Sequence, residues 1–510
     1  MWRRTYLLLL LVRIYLALSP SYIHPDENFQ GPEIIAGQIF GYPNLKTWEF
    51  TSSRPVRSVF PLWPVYGLPM LVLQWVWTET GKEAVAPRLV YYALRLLMFI
   101  LSFVLEDWAI HELVHSPRER RIAVVLVASS YVTWTYQTHT FSNAVETLVV
   151  LWSIVMIQRI LDNKHRSSLL SSALLGSLVA FGVCNRITIP AFLLPPGLYL
   201  LPHFLRKPFS LLILGTTFIL TSILGIGVDT IFYHPSSPEP LFQILRSEPT
   251  ITPLNSLLYN TSTSNLSLHG LHPPYQHLIA SLPLLLGPAL LLFWYIRKPS
   301  LSVISALSAT VLLSLIPHQE PRFLLPAVPL ILSSVRLPSS GALKRYWFIS
   351  WIIFNTILGV LMGIYHQGGV VPAQLWLGQQ RQHDSGLSEV FWWRTYSPPV
   401  WLLGGKKLLT VDLMGMKAEE MMDRVTGATE GYKGGDPTSV GLVAPKSSVD
   451  LDAWIEKTKS VMVFEQLWTT GNHLNLDDLD FEADGIVGTL ERVVGRRGLV
   501  IWKVSRIPEA

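Results

Sequence analysis

An acidic motif near the N-terminus carries side chains that could act in proton transfer. Residues 22–30 read Tyr-Ile-His-Pro-Asp-Glu-Asn-Phe-Gln, so Asp26 and Glu27 are adjacent carboxylates and His24 precedes them. A carboxylate beside another can have a raised pKa, and it can act as a general base when a hydroxyl lies within hydrogen-bond reach. The structural alternative is that the two acids open and cap a helix that begins near residue 27. Residue chemistry alone leaves both interpretations open.

A second motif combines an arginine with a histidine. Residues 317–323 read Pro-His-Gln-Glu-Pro-Arg-Phe. Arg322 offers a bidentate fork to a phosphate, and with His318 it could stabilise the negative charge on a departing lipid phosphate. The alternative is a surface pair between Glu320 and Arg322, with the arginine extended toward the lipid headgroups. This pattern also leaves both interpretations open.

The elements that position these motifs are predicted to lie in a membrane. The chain has 510 residues, of which 50% are hydrophobic and 15% charged, and this composition is too apolar for a protein whose whole surface is wetted. Backbone amides inside a bilayer must be satisfied within their own segment, which predicts one helical bundle. Most basic residues lie in short loops between apolar runs, not in clusters with aromatic residues, which excludes nucleic acid as a partner. Cys184 is the only cysteine, so no intramolecular disulfide can form.

Eleven apolar runs are long enough to span a bilayer. They cover residues 4–20, 86–106, 121–137, 143–161, 168–184, 187–203, 209–231, 276–296, 299–316, 321–337 and 345–366. A further run at 60–78 contains three prolines, and we predict a surface or re-entrant element there because proline removes amide donors and kinks helices. The first run is predicted to be a retained anchor, with a cleaved signal peptide as the alternative. Arg13 and Arg95 lie within spans, and we expect them to pair with other helices or to face a water-filled groove.

The charge pattern orients the predicted spans. With residues 60–78 outside the membrane, the basic N-terminus and the basic loops between spans all lie in the cytosol, as the positive-inside rule expects. The loop at 232–275 is then luminal, and it contains both N-glycosylation sequons of the chain, at Asn260 and Asn265. The same count of spans places the C-terminus in the lumen.

Composition divides the chain into two predicted domains. Residues 1–366 form a transmembrane catalytic domain, in which the acidic motif belongs to a first luminal loop at 21–85. Residues 367–510 are richer in glycine, aspartate and lysine. Their strand-like runs lie at 408–412, 460–464 and 498–504. We therefore predict a small luminal α/β domain, with a loop at 431–436.

Several further polar residues fall at the predicted luminal ends of spans. They are Asn143 with Glu146, Arg186, Asp229, His269 and His272. Each alone is typical of an interface anchor or a helix cap, but their shared side of the membrane favours a common site. The histidines lack i, i+4 spacing with acids, so no metal site is expected, and the acidic run at 477–484 is interpreted as a solvated loop. The sequence has no glycine motif of the kind that binds a nucleotide.

In their order and spacing, these motifs resemble glycosyltransferase family 22, the dolichyl-phosphate-mannose α-mannosyltransferases of GT-C fold. The motifs concerned are His24-Pro-Asp-Glu27, Arg57-Ser58, Thr140-Phe-Ser-Asn143 with Glu146, Arg186-Ile-Thr188 and His318-Gln-Glu-Pro-Arg322-Phe-Leu324. They extend over roughly residues 1 to 340. The resemblance implies an all-α polytopic membrane protein of GT-C type with about 11 transmembrane helices, followed by the small luminal α/β domain.

The resemblance also implies an inverting, metal-independent transfer of mannose that uses no cofactor. In that reaction Asp26 is the general base with Glu27 as its partner, while Arg322 and His318 contact the donor phosphate. Further possible substrate contacts are His24, Arg57, Asn143, Arg186, Asp229, His269 and His272. The chain has His139 where many members of the family have an arginine or lysine, so no cation is assigned at that position.

The implied donor is dolichyl-phosphate-mannose, and the implied location is the endoplasmic reticulum membrane, with a cytosolic N-terminus and a luminal active site. The motif forms are most similar to the branch of the family that acts on GPI-anchor precursors, which implies addition of a fourth, α1,2-linked mannose. A sister activity on another GPI mannose or on the dolichol-linked N-glycan precursor stays open. A polytopic transporter or lipid scramblase would also explain the spans, although its polar residues should lie near the midplane. Membrane lipids are the other expected contacts, and no protein partner is implied.

Overall fold

The structure is a computed structural model. It describes residues 2–81, 84–235, 240–296, 300–380, 386–406, 408–430, 439–479 and 481–507. The side chains of residues 294, 483 and 484 are not included in this description. The chain folds into two compact units. The first, here called the helical unit, comprises Met1–Tyr15, Lys46–Pro69 and Leu94–Ile357. The second, here called the mixed unit, comprises Leu16–Leu45, Met70–Ala93 and Leu358–Ala510. The mixed unit therefore includes part of the predicted first luminal loop as well as the C-terminal region. The predicted division has a single boundary at residue 366, whereas each observed unit is built from three separate segments.

Helices form the regular structure described in the helical unit. The α-helices are Trp48–Thr51, Asp107–Leu113, Pro117–Ala128, Tyr131–Trp134, Ser142–Asp162, Leu169–Asn185, Ile189–Leu198, Leu201–Arg206, Pro208–Tyr233, Leu241–Ser247, Thr252–Thr261, Thr263–Ser267, Leu282–Leu286, Leu301–Ser314 and Ala327–Leu332. Shorter π- and 3₁₀-helical pieces are Trp63–Gly67, Ser102–Glu106, Tyr136–Thr138, His277–Ser281, Gly287–Tyr295 and Pro321–Leu324. The helices Trp2–Ala17, Leu68–Glu79, Pro87–Leu101 and Gly341–Val360 contribute residues to both units.

Long apolar helices coincide with many of the predicted spans. Among the described residues, the helices long and apolar enough to cross a membrane are Pro87–Leu113, Ser142–Asp162, Pro208–Tyr233 and Gly341–Tyr365. Shorter apolar helices are Leu169–Asn185, Ile189–Leu198, His277–Phe293 and Leu301–Ser314. Each of these helices overlaps one predicted span. The total of eleven spans stays a prediction.

Two of the predicted spans are interrupted in the structure. In the run at 121–137 the helix ends at Ala128, and a short helical turn follows at Tyr131–Trp134. In the run at 321–337 the α-helix covers only Ala327–Leu332, because the prolines of this segment withhold amide donors. Residues 324–332 are all buried. Their apolar character therefore reflects packing inside the protein rather than contact with lipid.

The helix pair Leu169–Asn185 and Pro208–Tyr233 shows how close packing depends on a small residue. A Cβ atom on Gly176 would lie 2.3 Å from the carbonyl oxygen of Leu214 and 2.3 Å from the Thr217 hydroxyl. Thr217 donates a hydrogen bond of 2.9 Å to the carbonyl of Ala173. Absence of a side chain at Gly176 thus lets the two backbones approach and form this bond.

Arg13, a charged residue within a predicted span, is paired. Its guanidinium lies 2.8 Å from the Glu106 carboxylate and donates to the Ser102 hydroxyl at 2.8 Å. Both charged side chains are at most 2% exposed. The expectation that Arg13 pairs with another helix is confirmed, since an unpaired charge at this depth would be costly.

The mixed unit contains one five-stranded sheet. Its strands are β1 (Leu387–Trp392), β2 (Leu409–Asp412), β3 (Ser439–Pro445), β4 (Met462–Thr470) and β5 (Leu499–Arg506), arranged in the order β2-β1-β3-β5-β4. Strand β1 pairs in parallel with β2 and β3, whereas β5 pairs antiparallel with β3 and β4. The helical elements around it are Asp26–Phe29, Pro32–Phe40, Leu361–Tyr365, Val370–Gln379, Val400–Leu403, Ala418–Thr429, Val449–Thr458, Leu476–Asp478, Phe481–Leu490 and Glu491–Gly495. Its core is formed by apolar side chains from the strands and from the helices, including Phe391, Leu442, Met421, Leu451 and Trp454.

The predicted small α/β region at the C-terminal end is confirmed. Three of its strands, β2, β4 and β5, fall on the predicted strand-like runs. Strands β1 and β3 were not predicted, although β3 is a continuous apolar run that is buried on both faces. The predicted loop at 431–436 lies outside the described residues.

Candidate functional site

The acidic motif opens a short helix, and its first carboxylate is accessible. The helix Asp26–Phe29 has Pro25 at its N-cap, with no capping hydrogen bond from a side chain. Asp26 is therefore the first helical residue and not the cap, so the two acids open the helix, as the structural alternative predicts, but do not cap it. Its side chain is 21% exposed, and one carboxylate oxygen accepts a hydrogen bond from the Gln30 amide. The position leaves this carboxylate able to meet a hydroxyl of a substrate.

His24 contacts the same carboxylate. Its Nδ1 atom lies 3.5 Å from the Asp26 carboxylate and accepts a hydrogen bond of 3.2 Å from the Asp26 backbone amide. The imidazole also packs against the Tyr396 ring, with centroids 6.1 Å apart.

Other carboxylates near the motif are buried. Glu27 is 1% exposed and Glu33 is fully buried. Burial raises the pKa of Tyr22 well above its usual range, and the negative charges of Glu27 and Glu33 add to this effect. Asp26 is thus the acid of this cluster that a substrate can reach, while Glu27 belongs to its interior.

Glu33 was missed by the sequence analysis. Its carboxylate accepts hydrogen bonds from the backbone amides of Leu45 at 2.9 Å and Trp401 at 3.2 Å. The Trp401 indole in turn donates to the Asn28 side chain at 3.2 Å. Burial raises the pKa of Glu33 to about 8, partly offset by these backbone bonds. Glu33 holds the segment after the acidic motif against residues 400–403, and no local pattern indicated a partner so distant in sequence.

In the helical unit, His318 and Arg322 converge on one carboxylate. The Arg322 guanidinium contacts Glu320 through two nitrogens, at 2.5 and 2.9 Å. The His318 Nε2 atom lies 2.9 Å from the same carboxylate. This hydrogen bond is the main reason that the pKa of His318 is raised. The alternative pairing of Glu320 with Arg322 is therefore present, and the Arg322 guanidinium and the His318 imidazole contact the same carboxylate.

Two further predicted histidines surround His318. The ring centroids of His269 and His272 lie 5.8 and 6.0 Å from that of His318. The His269 ring also stacks on Trp48, and its Nε2 atom lies 2.8 Å from the Tyr259 hydroxyl. The loop 268–273 and the 317–323 motif thus form one cluster with Trp48 and Tyr259, two residues that no local pattern links to these motifs.

Arg186 and Asn143 belong to a buried polar network beside this cluster. The Arg186 guanidinium lies 3.2 Å from the Glu146 carboxylate, which also accepts from the Asn143 amide at 3.0 Å. Arg186 stands over the Phe323 ring at 5.4 Å, and Arg322 approaches the same ring at 6.0 Å. The structure therefore brings the predicted residues Arg186 and Arg322 together around Phe323.

Arg57 and Asp229 make contacts within the protein. The Arg57 guanidinium lies 3.0 Å from the Glu49 carboxylate. Asp229 accepts hydrogen bonds from the Ser58 hydroxyl at 3.0 Å and from the Val59 amide at 2.8 Å. These bonds fix the turn that follows Arg57, so the contacts seen for Asp229 are those of a positioning residue.

The predicted glycosylation sites occupy short helices. Asn260 lies near the end of the helix Thr252–Thr261, and Asn265 lies on the helix Thr263–Ser267. Both side-chain amides donate to backbone carbonyls, Asn260 to Ser256 at 2.8 Å and Asn265 to Tyr259 at 3.3 Å. Their glycosylation stays a prediction. Within the described ranges, no group of three His, Cys, Asp or Glu side chains is arranged to hold a metal ion.

The fold is also found in a solved membrane glycosyltransferase. The structure of ArnT from Cupriavidus metallidurans bound to undecaprenyl phosphate is similar to this chain with a TM-score of 0.54 and 12% identity, and 98% of each chain is covered. The fold is thus the GT-C fold of membrane glycosyltransferases, mostly helical with a small C-terminal sheet.

Sequence comparison identifies the family. The model of the Alg9-like mannosyltransferase family matches residues 4–403. Two proteins named GPI mannosyltransferase 4 are similar over the full length: that of Aspergillus oryzae is 50% identical over 99% of both chains, and that of Emericella nidulans 49% identical over 99% of this chain and 98% of its own. The chain belongs to the Alg9-like mannosyltransferase family and is a membrane mannosyltransferase. The transporter and scramblase alternative is thereby set aside.

Proposed function

We propose that this protein adds the fourth mannose, in α1,2 linkage, to a GPI-anchor precursor, with dolichyl-phosphate-mannose as donor. The observation that carries the proposal is the similarity over the whole chain to the two fungal proteins named GPI mannosyltransferase 4. Because the similarity includes the loops and the mixed unit, it extends beyond the motifs that every member of the family needs for chemistry.

In the proposed reaction, Asp26 is the general base. The acceptor hydroxyl oxygen attacks C1 of the mannosyl group from the side opposite the phosphate, and its proton passes to the Asp26 carboxylate. The bond between C1 and the phosphate oxygen breaks, and dolichyl phosphate leaves with that electron pair. A single displacement of this kind inverts the configuration at C1. The exposure of Asp26 and the Gln30 hydrogen bond, which orients its carboxylate, support this role.

We assign the departing phosphate to Arg322 and His318. The raised pKa of His318 favours its protonated, cationic form, and a guanidinium beside an imidazolium stabilises charge that develops on a leaving phosphate. In the structure the Glu320 carboxylate contacts His318 and Arg322, the two side chains that a phosphate would contact. A bound donor would therefore share or replace this carboxylate, which keeps the two cationic groups aligned before binding.

We further infer that the site faces the lumen of the endoplasmic reticulum, with a cytosolic N-terminus and a luminal C-terminus. The distribution of basic loops and the two sequons support this orientation. In this arrangement the acceptor and the mannosyl group of the donor meet at the luminal membrane face.

Depletion of the protein in its own cells tests the acceptor. A GPI intermediate with three mannoses should accumulate, while dolichol-linked N-glycan precursors keep their full length. The lipids would be separated after labelling with radioactive mannose and their glycans sized. Accumulation of a two-mannose GPI species, or of a truncated dolichol-linked oligosaccharide, would assign the protein to a sister activity.

A further inference from the structure

A helical segment before strand β5 of the mixed unit has an exposed apolar face. The backbone departs from helical geometry at Gly485, and a continuous helical segment then covers residues 486–495, from the end of Phe481–Leu490 through Glu491–Gly495. The exposed apolar side chains are 40 to 69% accessible and belong to Ile486, Val487, Leu490 and Val494. Thr489 and Val493 are buried. The segment is therefore packed onto the mixed unit by one side and presents apolar side chains on the other.

The exposed side chains follow the period of a helix. Ile486, Leu490 and Val494 are spaced four residues apart, so their side chains form one stripe along the segment. Val487 widens this stripe, because it lies three residues before Leu490. A helix on the surface of a wetted domain presents polar side chains to the solvent. A group of exposed aliphatic side chains instead marks a surface that contacts a membrane or another protein.

The end of a helix that is long and apolar enough to cross the membrane lies beside this segment. That helix, Gly341–Tyr365, has 25 residues, so its length of roughly 37 Å exceeds the hydrocarbon thickness of about 30 Å and its last residue lies near a membrane face. The Arg497 guanidinium lies 5.5 Å from the centre of the Tyr365 ring and donates to the Val494 carbonyl at 3.3 Å. Arg497 thus connects the last turn of the segment to the last residue of the span.

The start of strand β5 lies at the same place. The Leu474 amide donates to the Tyr365 carbonyl at 2.8 Å, and the Gly498 amide donates to the His473 carbonyl at 2.9 Å. Strand β5 begins at the next residue and ends at Arg506, so its two ends are about 20 Å apart. The apolar face therefore belongs to the end of the sheet that is joined to the span.

Basic side chains follow the apolar face. Arg496 and Arg497 are both exposed and come directly after the segment, whereas Glu491 is exposed on the segment itself. Arg496 also pairs with Asp452. An arginine at the edge of an apolar surface can keep its alkyl stem among acyl chains while its guanidinium binds a lipid phosphate. An apolar stripe bordered by arginine is the pattern of a helix that lies in a membrane interface.

We propose that the segment 486–495 lies in the headgroup layer of the membrane as an interfacial helix, with its apolar face against the acyl chains and Arg497 beside the lipid phosphates. The bilayer is the occupant that the contacts favour, because the span whose end contacts Arg497 places a membrane face beside the segment. This contact gives the mixed unit an attachment to the membrane in addition to the helices that cross it. The proposal does not depend on the identity of the acceptor.

Lipid-borne quenchers test this contact in the full-length protein. Cys184 is the only cysteine of the chain, so a Cys184→Ala background accepts a single fluorescent label at Leu490→Cys. Val463→Cys is the matched control, because Val463 is an exposed aliphatic residue that pairs with Ser505 at the far end of β5. In phosphatidylcholine nanodiscs, lipids with a nitroxide on the acyl chain near the headgroup should quench the Leu490 label about threefold or more strongly than the Val463 label, since the two ends of β5 are about 20 Å apart.

Soluble iodide distinguishes the possible occupants of the apolar face. The Leu490 label should be quenched less by iodide than the Val463 label. Equal lipid quenching at the two positions, with full access of iodide, would mean that the face is wetted and would overturn the proposal. A Leu490 label that is shielded from both quenchers would also overturn it, because protein would then cover the face, either a second copy of the chain or another partner.

Unmodified protein provides a second measurement, which covers the case in which the cysteine variants do not fold. Wild-type protein in nanodiscs that contain a phospholipid with a photoreactive acyl chain would be irradiated and digested with trypsin. Cross-links should appear on residues 486–494, in the peptides that end at Arg492 and Arg496. Cross-links on a span such as Pro208–Tyr233, together with their absence from residues 486–494, would contradict the proposal.

Discussion

Three carboxylates near the N-terminus differ in what each can do. Asp26 is partly exposed, Glu27 is buried beside it, and Glu33 is buried and bonded to two backbone amides. A base must reach the acceptor hydroxyl, so the differences in exposure favour Asp26 over its neighbours. Burial keeps the other two carboxylates out of reach of a substrate in this structure.

Asp26→Asn tests the role of Asp26 as general base, because it replaces one carboxylate oxygen with an amide nitrogen. The amide keeps an acceptor for Gln30 but cannot take a proton, so transfer should fall about a hundredfold or more, with donor binding and expression near wild type. The rate would be measured with labelled dolichyl-phosphate-mannose and the GPI acceptor. Asp423→Asn, which changes an exposed acid on the helix Ala418–Thr429, serves as the control. Near-normal activity of Asp26→Asn would remove Asp26 from the catalytic role.

Glu33 predicts a pH dependence of stability. Its folded-state pKa is raised from 4.5 to about 8, so between these values the native chain holds a proton that the unfolded chain has lost. The stability that Glu33 contributes is therefore fully present below about pH 4.5 and is lost as the pH rises through about 8. The unfolding temperature of the detergent-solubilised wild type should fall between pH 6 and 9 more steeply than that of Glu33→Gln. Parallel curves for the two proteins would contradict the assignment.

At the scale of elements, close packing of helices depends on particular glycines. Gly176 faces the backbone of the neighbouring helix, whereas a Cβ atom on Gly215 of that helix would have no neighbour within 4 Å. The two positions therefore form a matched pair, with Gly176 inside the helix contact and Gly215 outside it.

Gly176→Ala should destabilise the protein by about 1 to 3 kcal/mol, because the new methyl group collides with a carbonyl that cannot move independently of its helix. Gly215→Ala should be neutral or slightly stabilising, since alanine favours a helix over glycine. Thermal unfolding of both variants in the same detergent measures the difference. Equal unfolding temperatures for the two variants would mean that the helices Leu169–Asn185 and Pro208–Tyr233 can move apart without loss of stability, contrary to this prediction.

For the whole molecule, the predicted orientation can be tested directly. The predicted eleven spans would carry a cytosolic N-terminus to a luminal C-terminus, with Asn260 and Asn265 in the lumen. A C-terminal tag should then resist protease in sealed microsomes and become sensitive after detergent is added. Digestion without detergent would mean that the span count is wrong, with residues 60–78, which form the helical pieces Trp63–Gly67 and Leu68–Glu79, as the first segment to reconsider.

Local sequence determined the features that depend on neighbours in the chain. Apolar runs such as 143–161 and 209–231 predict helices directly, because length and hydrophobicity over one segment suffice for a helix in a bilayer. The motifs around Asp26 and Arg322 were found for the same reason, since their chemistry lies in adjacent residues. The strand-like runs of the C-terminal region also identified three of the five strands.

Tertiary structure decided what depends on residues far apart in sequence. The bonds between Glu33 and Trp401, the shared ring of Phe323 beneath Arg186 and Arg322, and the apolar run at 324–332 that is buried in protein have no local signature. The same holds for a cavity at the ends of β1, β2 and β3, whose walls come from six separate segments between Pro25 and Arg492. Periodicity and composition report on one segment at a time, whereas partners, burial and cavities arise only when distant segments pack together.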